Sequence, residues 1–498
     1  MAPLERATQS GIVSTQVQET AGPFSFRDPG GVLVQSGDRM RRIVNAAAAR
    51  DFEFFLASRL ARDLKAARSL VGTSTLDSAQ ADAWLQSDDD LRRLCESRRG
   101  ALILEHERIP FPSFPYEWPA QMLHAAGALT LDLARRGLEE NIGLKDATPL
   151  NVLFAGPRPV FVDVLSFERR DPRDSTWLPH AQFLRTFALP LLAWKYLRLS
   201  PGLLITRRDG LEPEEVYGWI SPFDRLRPPF LQMVSLPTWL GKRELAERTH
   251  LYERKLSGNP EKARFILAML LDRLQRSFAR LRPPEHAASA WSGYATHNSY
   301  SDAQAETKQR FVADALSDFS PRNVLDIGCN TGQYSVIAAR GGASVVAIDY
   351  DPVVVGSLWS TARSQKLDIL PLVVNLGHPT PATGWRNEEF PSFLDRARGH
   401  FDAVLMLAVL HHLLVTDRVP LESVLATAAE LTRDLLIIEF VGTGDPMFRK
   451  IARGRDALHA DLTPSAFEAV AGMRFELVRR QPIEGSSRIL YLYRKKTR

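Results

Sequence analysis

Sulfur is scarce in this chain: Cys95 and Cys329 are the two cysteines among 498 residues. That excludes a disulfide framework and any Cys-x-x-Cys metal site, and it fits a reducing cytoplasm. Long apolar runs are missing too. None reaches the ~18 residues expected of a membrane-spanning helix, and the stretch from Ala188 to Trp194, short and interrupted by Pro190, reads as buried helix. The opening Met-Ala-Pro-Leu-Glu-Arg has no basic-then-apolar leader pattern. Excess charge is small: 63 Lys and Arg against 58 Asp and Glu give a formal +5. It is dispersed, so neither a nucleic-acid stripe nor a membrane partner is expected. There is no internal repeat. What is present is an ordinary globular composition, 45% hydrophobic and 24% charged, long enough for two or three domains.

The most informative run lies between Asn323 and Asp349. It reads as a buried strand, a glycine loop, a helix, and a second buried strand closed by an acid. Gly328 and Gly332 let the backbone turn tightly and approach a ligand without Cβ clashes. A helix beginning near Thr331 turns its free N–H groups toward the loop. Asp349, at the end of the second strand, suits two ribose hydroxyls. A dinucleotide fingerprint wants a further glycine three residues on, and here Asn330 interrupts the spacing and that glycine is absent. Asp326 at the loop's leading edge opposes a pyrophosphate but suits an ammonium, which favours S-adenosylmethionine (SAM) over NAD. Asn330 is tolerated because Asn visits left-handed backbone more readily than most residues.

These residues resemble the SAM-binding loop of class I methyltransferases, and later segments follow in that family's order. Asp368 to Leu376 resembles the third strand, Phe401 to Leu413 the fourth, Leu435 to Phe440 the fifth, and the runs at Glu476 and Arg488 the final pair. The resemblance implies a doubly wound, Rossmann-like sheet of seven strands over 284–498. It places SAM against Asp326, Gly328, Cys329, Asn330, Gly332, Asp349, Tyr350, Asn375, Leu376 and Leu407, with Tyr300 and Lys308 in a lid. Asn375 stands where many members carry Asp. SAM arrives with an activated methyl group, so the main demand is alignment, which can remove about 7–11 kcal/mol of barrier. An oxygen acceptor of high pKa also needs a base, typically worth 10²–10⁴-fold. His411, His412 and Glu439, at the ends of the fourth and fifth strands, are the candidates. Local packing or capping by the histidines is the competing reading. No metal is called for by this reaction.

The first half carries a different pattern. Asp146, Asn151 and Asp163 match in type and spacing the catalytic loop of protein-kinase-like phosphotransferases, where two Asp and one Asn serve the substrate hydroxyl and the metals. The family's His-Arg is replaced by Leu144-Lys145, its Asp-Phe-Gly by Asp163-Val-Leu, and neither a glycine-rich phosphate loop nor its strand lysine is evident. The alternatives are an ATP- and magnesium-binding half and a buried polar set that pins a loop. An α+β, kinase-like or substrate-recognition domain is expected over 29–283, after a flexible 1–28. Taken whole, the chain resembles bacterial methyltransferases of the nodulation-protein type, through Glu105 to Pro110, Tyr116-Glu117-Trp118, Leu144 to Asp146, Asp163 to Glu168 and Asn375 to Trp385. The resemblance says little about substrate; the expected acceptor is a small or carbohydrate-like molecule, which the N-terminal domain helps to select.

Overall fold

A computed structural model describes residues 27–244, 256–284 and 301–497. They divide into two compact units, one made of residues up to Arg50 with Gly72–Arg108, the other of Asp51–Val71 with everything from Ile109 onward. The division therefore does not fall at 283/284: the helical stretch before that point belongs to the same unit as the seven-stranded sheet.

In the smaller unit, β1 (Gly31–Ser36) and β2 (Arg39–Asn45) form a hairpin, as alternation around Gly37 predicts. β3 (Thr73–Thr75) and β4 (Gly100–His106) complete an antiparallel sheet of order β1-β2-β4-β3. Val32, Val34, Ile43 and Ile103 pack with Trp84 and Leu91 from the two helices between β3 and β4. Asp77 and Asp88 cap those helices by accepting backbone N–H groups, Asp77 within a full capping box. Two helices follow, Ala46–Leu56 and Arg59–Ala66, separated where the Ser58 side chain accepts from Ala61 N and starts a new helix.

The larger unit begins its long stretch with the helix Ala120–Gly137, which packs on the helix Pro260–Ala279. The His124 ring lies flat on Phe278 at 4.8 Å. Gly127 is required there, since a Cβ on it would stand 2.5 Å from the Phe278 ring. Two short antiparallel pairs follow: β5 (Ile142–Leu144) with β8 (Phe167–Arg169), and β6 (Val152–Ala155) with β7 (Arg158–Phe161).

The sheet is built from β9 (Asn323–Ile327), β10 (Ser344–Asp349), β11 (Ile369–Val373), β12 (Phe401–Met406), β13 (Thr432–Val441), β14 (Phe475–Pro482) and β15 (Arg488–Lys495). Its order is β11-β10-β9-β12-β13-β15-β14, parallel from β11 to β13 with β15 antiparallel to β13. This is the Rossmann-like, seven-stranded architecture expected. The five parallel strands run as near-continuous apolar sequence because helices cover both faces. Sequence order reverses between β9 and β12, so the carboxyl ends of those two strands open the crevice where a doubly wound sheet takes its ligand. Among the described residues no helix is long and apolar enough to cross a membrane.

Candidate active site

The loop after β9 is fixed from below. The N–H groups of Gly328 and Cys329 both donate to Ile348 O on β10, at 2.8 and 3.0 Å. Gly328, Asn330 and Gly332 all have positive φ, at 70°, 48° and 84°. The two glycines are needed for space as well: a Cβ at Gly328 would fall 2.2 Å from Val409 Cγ2, and one at Gly332 2.1 Å from Leu358 Cδ1. The helix Gln333–Arg340 starts at Gly332, so its first N–H groups face the loop.

Asp349 closes β10. Its Oδ2 accepts from Asn330 N and its Oδ1 from Asp351 N, both at 3.0 Å. A carboxylate oxygen has a second lone pair, so both retain capacity for the cis hydroxyls of a ribose. Burial pushes its pKa up, while these backbone donors pull the other way. Tyr350 beside it is exposed, Leu407 is buried at the end of β12, and Leu376 is half-buried. The Asn375 side-chain oxygen accepts from Gly377 N at 2.9 Å. Bend, anion-facing helix start and carboxylate together fit SAM, with Cys329 buried in the loop wall.

Three expected residues sit differently. Asp326 lies beneath the loop and not on its rim: it is 1% exposed and accepts from Ser335 Oγ at 2.6 Å. Burial raises its pKa to about 6. Lys308, on the helix Asp302–Phe319, is also sealed, its Nζ 2.7 Å from Glu439 Oε2. The other Glu439 oxygen meets Arg488 Nη1 at 3.2 Å, and Arg488 Nε stands 2.7 Å from Asp445 Oδ2. Glu439 is thus the counter-ion of two buried cations, an arrangement that takes it out of reach as a base, and Lys308 is its partner instead of a lid residue. Tyr300 lies outside the described residues. His411 and His412 stand at the turn after β12 with ring centroids 4.3 Å apart.

Asp146, Asn151 and Asp163 do come together in part. Asn151 Nδ2 donates to Asp146 Oδ1 at 2.8 Å, the Ser166 hydroxyl donates to the same oxygen, and Asp163 Oδ1 accepts from Leu165 N at 3.3 Å. Sequence reasoning missed Arg488 and Asp445. The available signal was an arginine opening the otherwise apolar run Ile-Leu-Tyr-Leu-Tyr.

The loop that follows β11 meets the stretch before the sheet. Glu117 is fully buried and pairs with Arg396; Thr380 Oγ1 donates to Glu117 at 2.6 Å. Beside this contact is a cavity of about 230 Å³ lined by Tyr116, Thr186, Leu204, Arg208, Thr383 and Phe390, with Pro115, Pro149, Leu150 and Ile205. The Arg208 guanidinium lies 4.9 Å over the Phe390 ring and pairs with Glu389. Burial pushes the Tyr116 hydroxyl up to about 12, so it stays protonated and can donate.

Residues 300–441 match the sequence profile of the family described as Methyltransferase domain. The nodulation protein NoeA of Rhizobium meliloti (strain 1021) is 29% identical over 496 residues, which cover 99% of this chain and 100% of that protein. The crystal structure of N-methyltransferase NodS from Bradyrhizobium japonicum WM9 is similar over 39% of this chain and 98% of its own, at 15% identity and a TM-score of 0.29. The bifunctional kinase-methyltransferase WbdD is similar over 39% of this chain and 40% of its own, at 19% identity and a TM-score of 0.29.

Proposed function

We propose that this protein, a SAM-dependent methyltransferase, passes its methyl group to a small, carbohydrate-like acceptor that the stretch before the sheet helps to recognise. The observation carrying the reading is the loop from Gly328 to Gly332 set against Asp349 at the crossover between β9 and β12. Bound SAM supplies a methyl group already activated by its sulfonium charge. The chain's own work is then to hold and align. Asp349 accepts from ribose hydroxyls, each hydrogen bond to a charged group contributing about 1.5–3 kcal/mol. Asn375 donates to the adenine edge, and Leu376, Leu407 and Tyr350 flank the base.

The cavity beside the Glu117–Arg396 pair supports a role for the first half in acceptor recognition. Its hydroxyls from Tyr116 and Thr383, set among apolar walls and one already paired guanidinium, suit a neutral, hydroxyl-bearing ring. At about 230 Å³ it is smaller than the ~300–1,000 Å³ of drug-sized sites, which suits a single ring.

Asp349→Ala is expected to weaken SAM binding more than tenfold, a loss of more than about 1.4 kcal/mol, in a protein that still unfolds at its original temperature. Titration calorimetry reads this directly, and unchanged affinity removes Asp349 from the site. Methyl-labelled SAM incubated with fractionated cell extract identifies the acceptor by which molecule gains label.

The second reading, a nucleotide-binding kinase-like half, has one observation in its favour, the junction of Asp146 with Asn151. A thermal-shift comparison separates the two: a rise with SAM alone supports methyl transfer by itself, and an additional rise with magnesium and ATP supports the kinase-like half.

A further inference from the structure

The helix Pro260–Ala279 has a side that the core does not use. Its inner side buries Ala263, Leu267, Leu271, Leu274 and Phe278, and it packs on the helix Ala120–Gly137. Arg135 reaches across to Asp272 at 2.8 Å and Asn259 caps the first turn, so the helix is fixed in rotation. On its outer side Phe265, Ile266, Met269 and Leu270 are 66%, 45%, 49% and 36% exposed. Single apolar side chains on a surface are ordinary, but four adjoining ones in less than two turns mark a place of contact.

The charges on that side all have one sign. With about 3.6 residues per turn, Lys262, Arg273, Arg276 and Arg280 fall within the arc of about 140° that runs from Phe265 to Leu270. All four are exposed, and none has a carboxylate partner among the described residues. The two acids of the helix, Glu261 and Asp272, lie outside the arc, and Asp272 is already taken by Arg135. The apolar residues sit between Lys262 and the three arginines, over a length of roughly 27 Å.

This combination narrows the occupant. A second copy docked symmetrically would set the face against itself, cation against cation with no acid to relieve it. A nucleic acid would match the charge and give the four apolar side chains nothing to enter. An anionic bilayer surface answers both. The apolar side chains enter the acyl boundary, while the long Lys and Arg stems keep their charged ends among the headgroups. We infer that the outer side of this helix is a docking face for an anionic lipid bilayer, on which the helix lies without crossing. The inference goes beyond methyl transfer and does not depend on it. It departs from the expectation of no membrane partner, which rested on a dispersed +5; the helix winds cations from four separated positions onto one side.

The test is flotation of the full-length protein with phosphatidylcholine vesicles, with and without phosphatidylserine. Wild type should float with the phosphatidylserine vesicles and stay behind with phosphatidylcholine alone. It should release between about 0.1 and 1 M salt, where the screening length falls from about 10 to 3 Å. Phe265→Gln with Met269→Gln, and separately Arg273→Gln with Arg276→Gln, should each lower the partition constant about tenfold or more. Every changed side chain is exposed, so the urea unfolding midpoint and SAM affinity should match wild type. Wild type that ignores the charged vesicles overturns the inference, as does flotation that either pair of changes leaves intact. Retention on polyglutamate or DNA without flotation assigns the face to an acidic protein or a nucleic acid, and overturns it equally. So does a dimer in light scattering that the Phe265→Gln, Met269→Gln protein no longer forms, which would make the occupant a second copy.

Discussion

Asp326 shows how much a single buried carboxyl governs. Its pKa is raised from 3.8 to about 6, first by burial and then by the charge of Asp349, against the opposing pull of Ser335. The folded chain therefore holds this proton more tightly than the unfolded chain does. Stability falls as pH rises from about 3.8 through 6, and the full cost is present above that. The ceiling on that cost is roughly 3 kcal/mol. Asp326→Asn keeps an oxygen for Ser335 and removes the ionisation. It should be more stable than wild type by up to about that amount at pH 7.5 and equal to it near pH 4, as urea unfolding would read; a gap independent of pH would sink the assignment. The glycine loop and Asp349 were legible in the sequence because their chemistry is local, fixed by backbone angles within a few residues. The roles of Lys308 and Glu439 were not. Each is an ordinary charged residue until a helix, β13 and β15 are brought together, and the charges then consume one another.

At the scale of elements, the segment from Phe111 to Trp118 and the loop from Thr380 to Arg396 act as one clasp. Arg396 reaches Glu117 and the Pro112 carbonyl, with Phe111, Phe114 and Phe393 all within 5.7 Å of its guanidinium. The Glu117 backbone position is itself set by a short 3₁₀ turn, Pro115–Glu117, where Phe114 N donates to Glu117 Oε2. Removing one partner leaves an uncompensated buried charge, which costs about 3–5 kcal/mol. Glu117→Ala should lose that much in denaturant unfolding, whereas Glu117→Ala with Arg396→Met should lose less than the single change. A double variant as weak as the sum of both changes would deny the coupling. The loop that Arg396 anchors begins at Asn375, so Glu117→Ala should also weaken SAM binding. The buried strands on either side of the glycine loop were readable as apolar runs, because such a run is a property of one element. The clasp was not, since its halves are nearly 280 positions apart and proline-rich sequence has no period to betray a partner.

At the scale of the molecule, the expected boundary near 283 gives way to a continuous core. One cluster of buried side chains runs from Phe55 through Trp118, Leu192 and Phe278 to Trp359, Leu372 and Tyr493. Trp359 Nε1 on the helix Pro352–Gln365 donates to Pro157 O at 3.1 Å, and Gly356 on the same helix faces Gln121, where a Cβ would come within 2.2 Å of its side chain. The sheet's outer helix is thus seated on residues from the first half, with no layer of water-facing side chains between. Composition could not reveal this, because an apolar helix face reads the same whether its cover comes from its own domain or from another part of the chain. A fragment of residues 284–498 should therefore expose Trp359 and its apolar neighbours. It should self-associate, bind a hydrophobic dye, and hold SAM more weakly than the full chain. Light scattering and calorimetry on the fragment decide this. A monodisperse fragment with the SAM affinity of the whole protein would show that the sheet is self-sufficient.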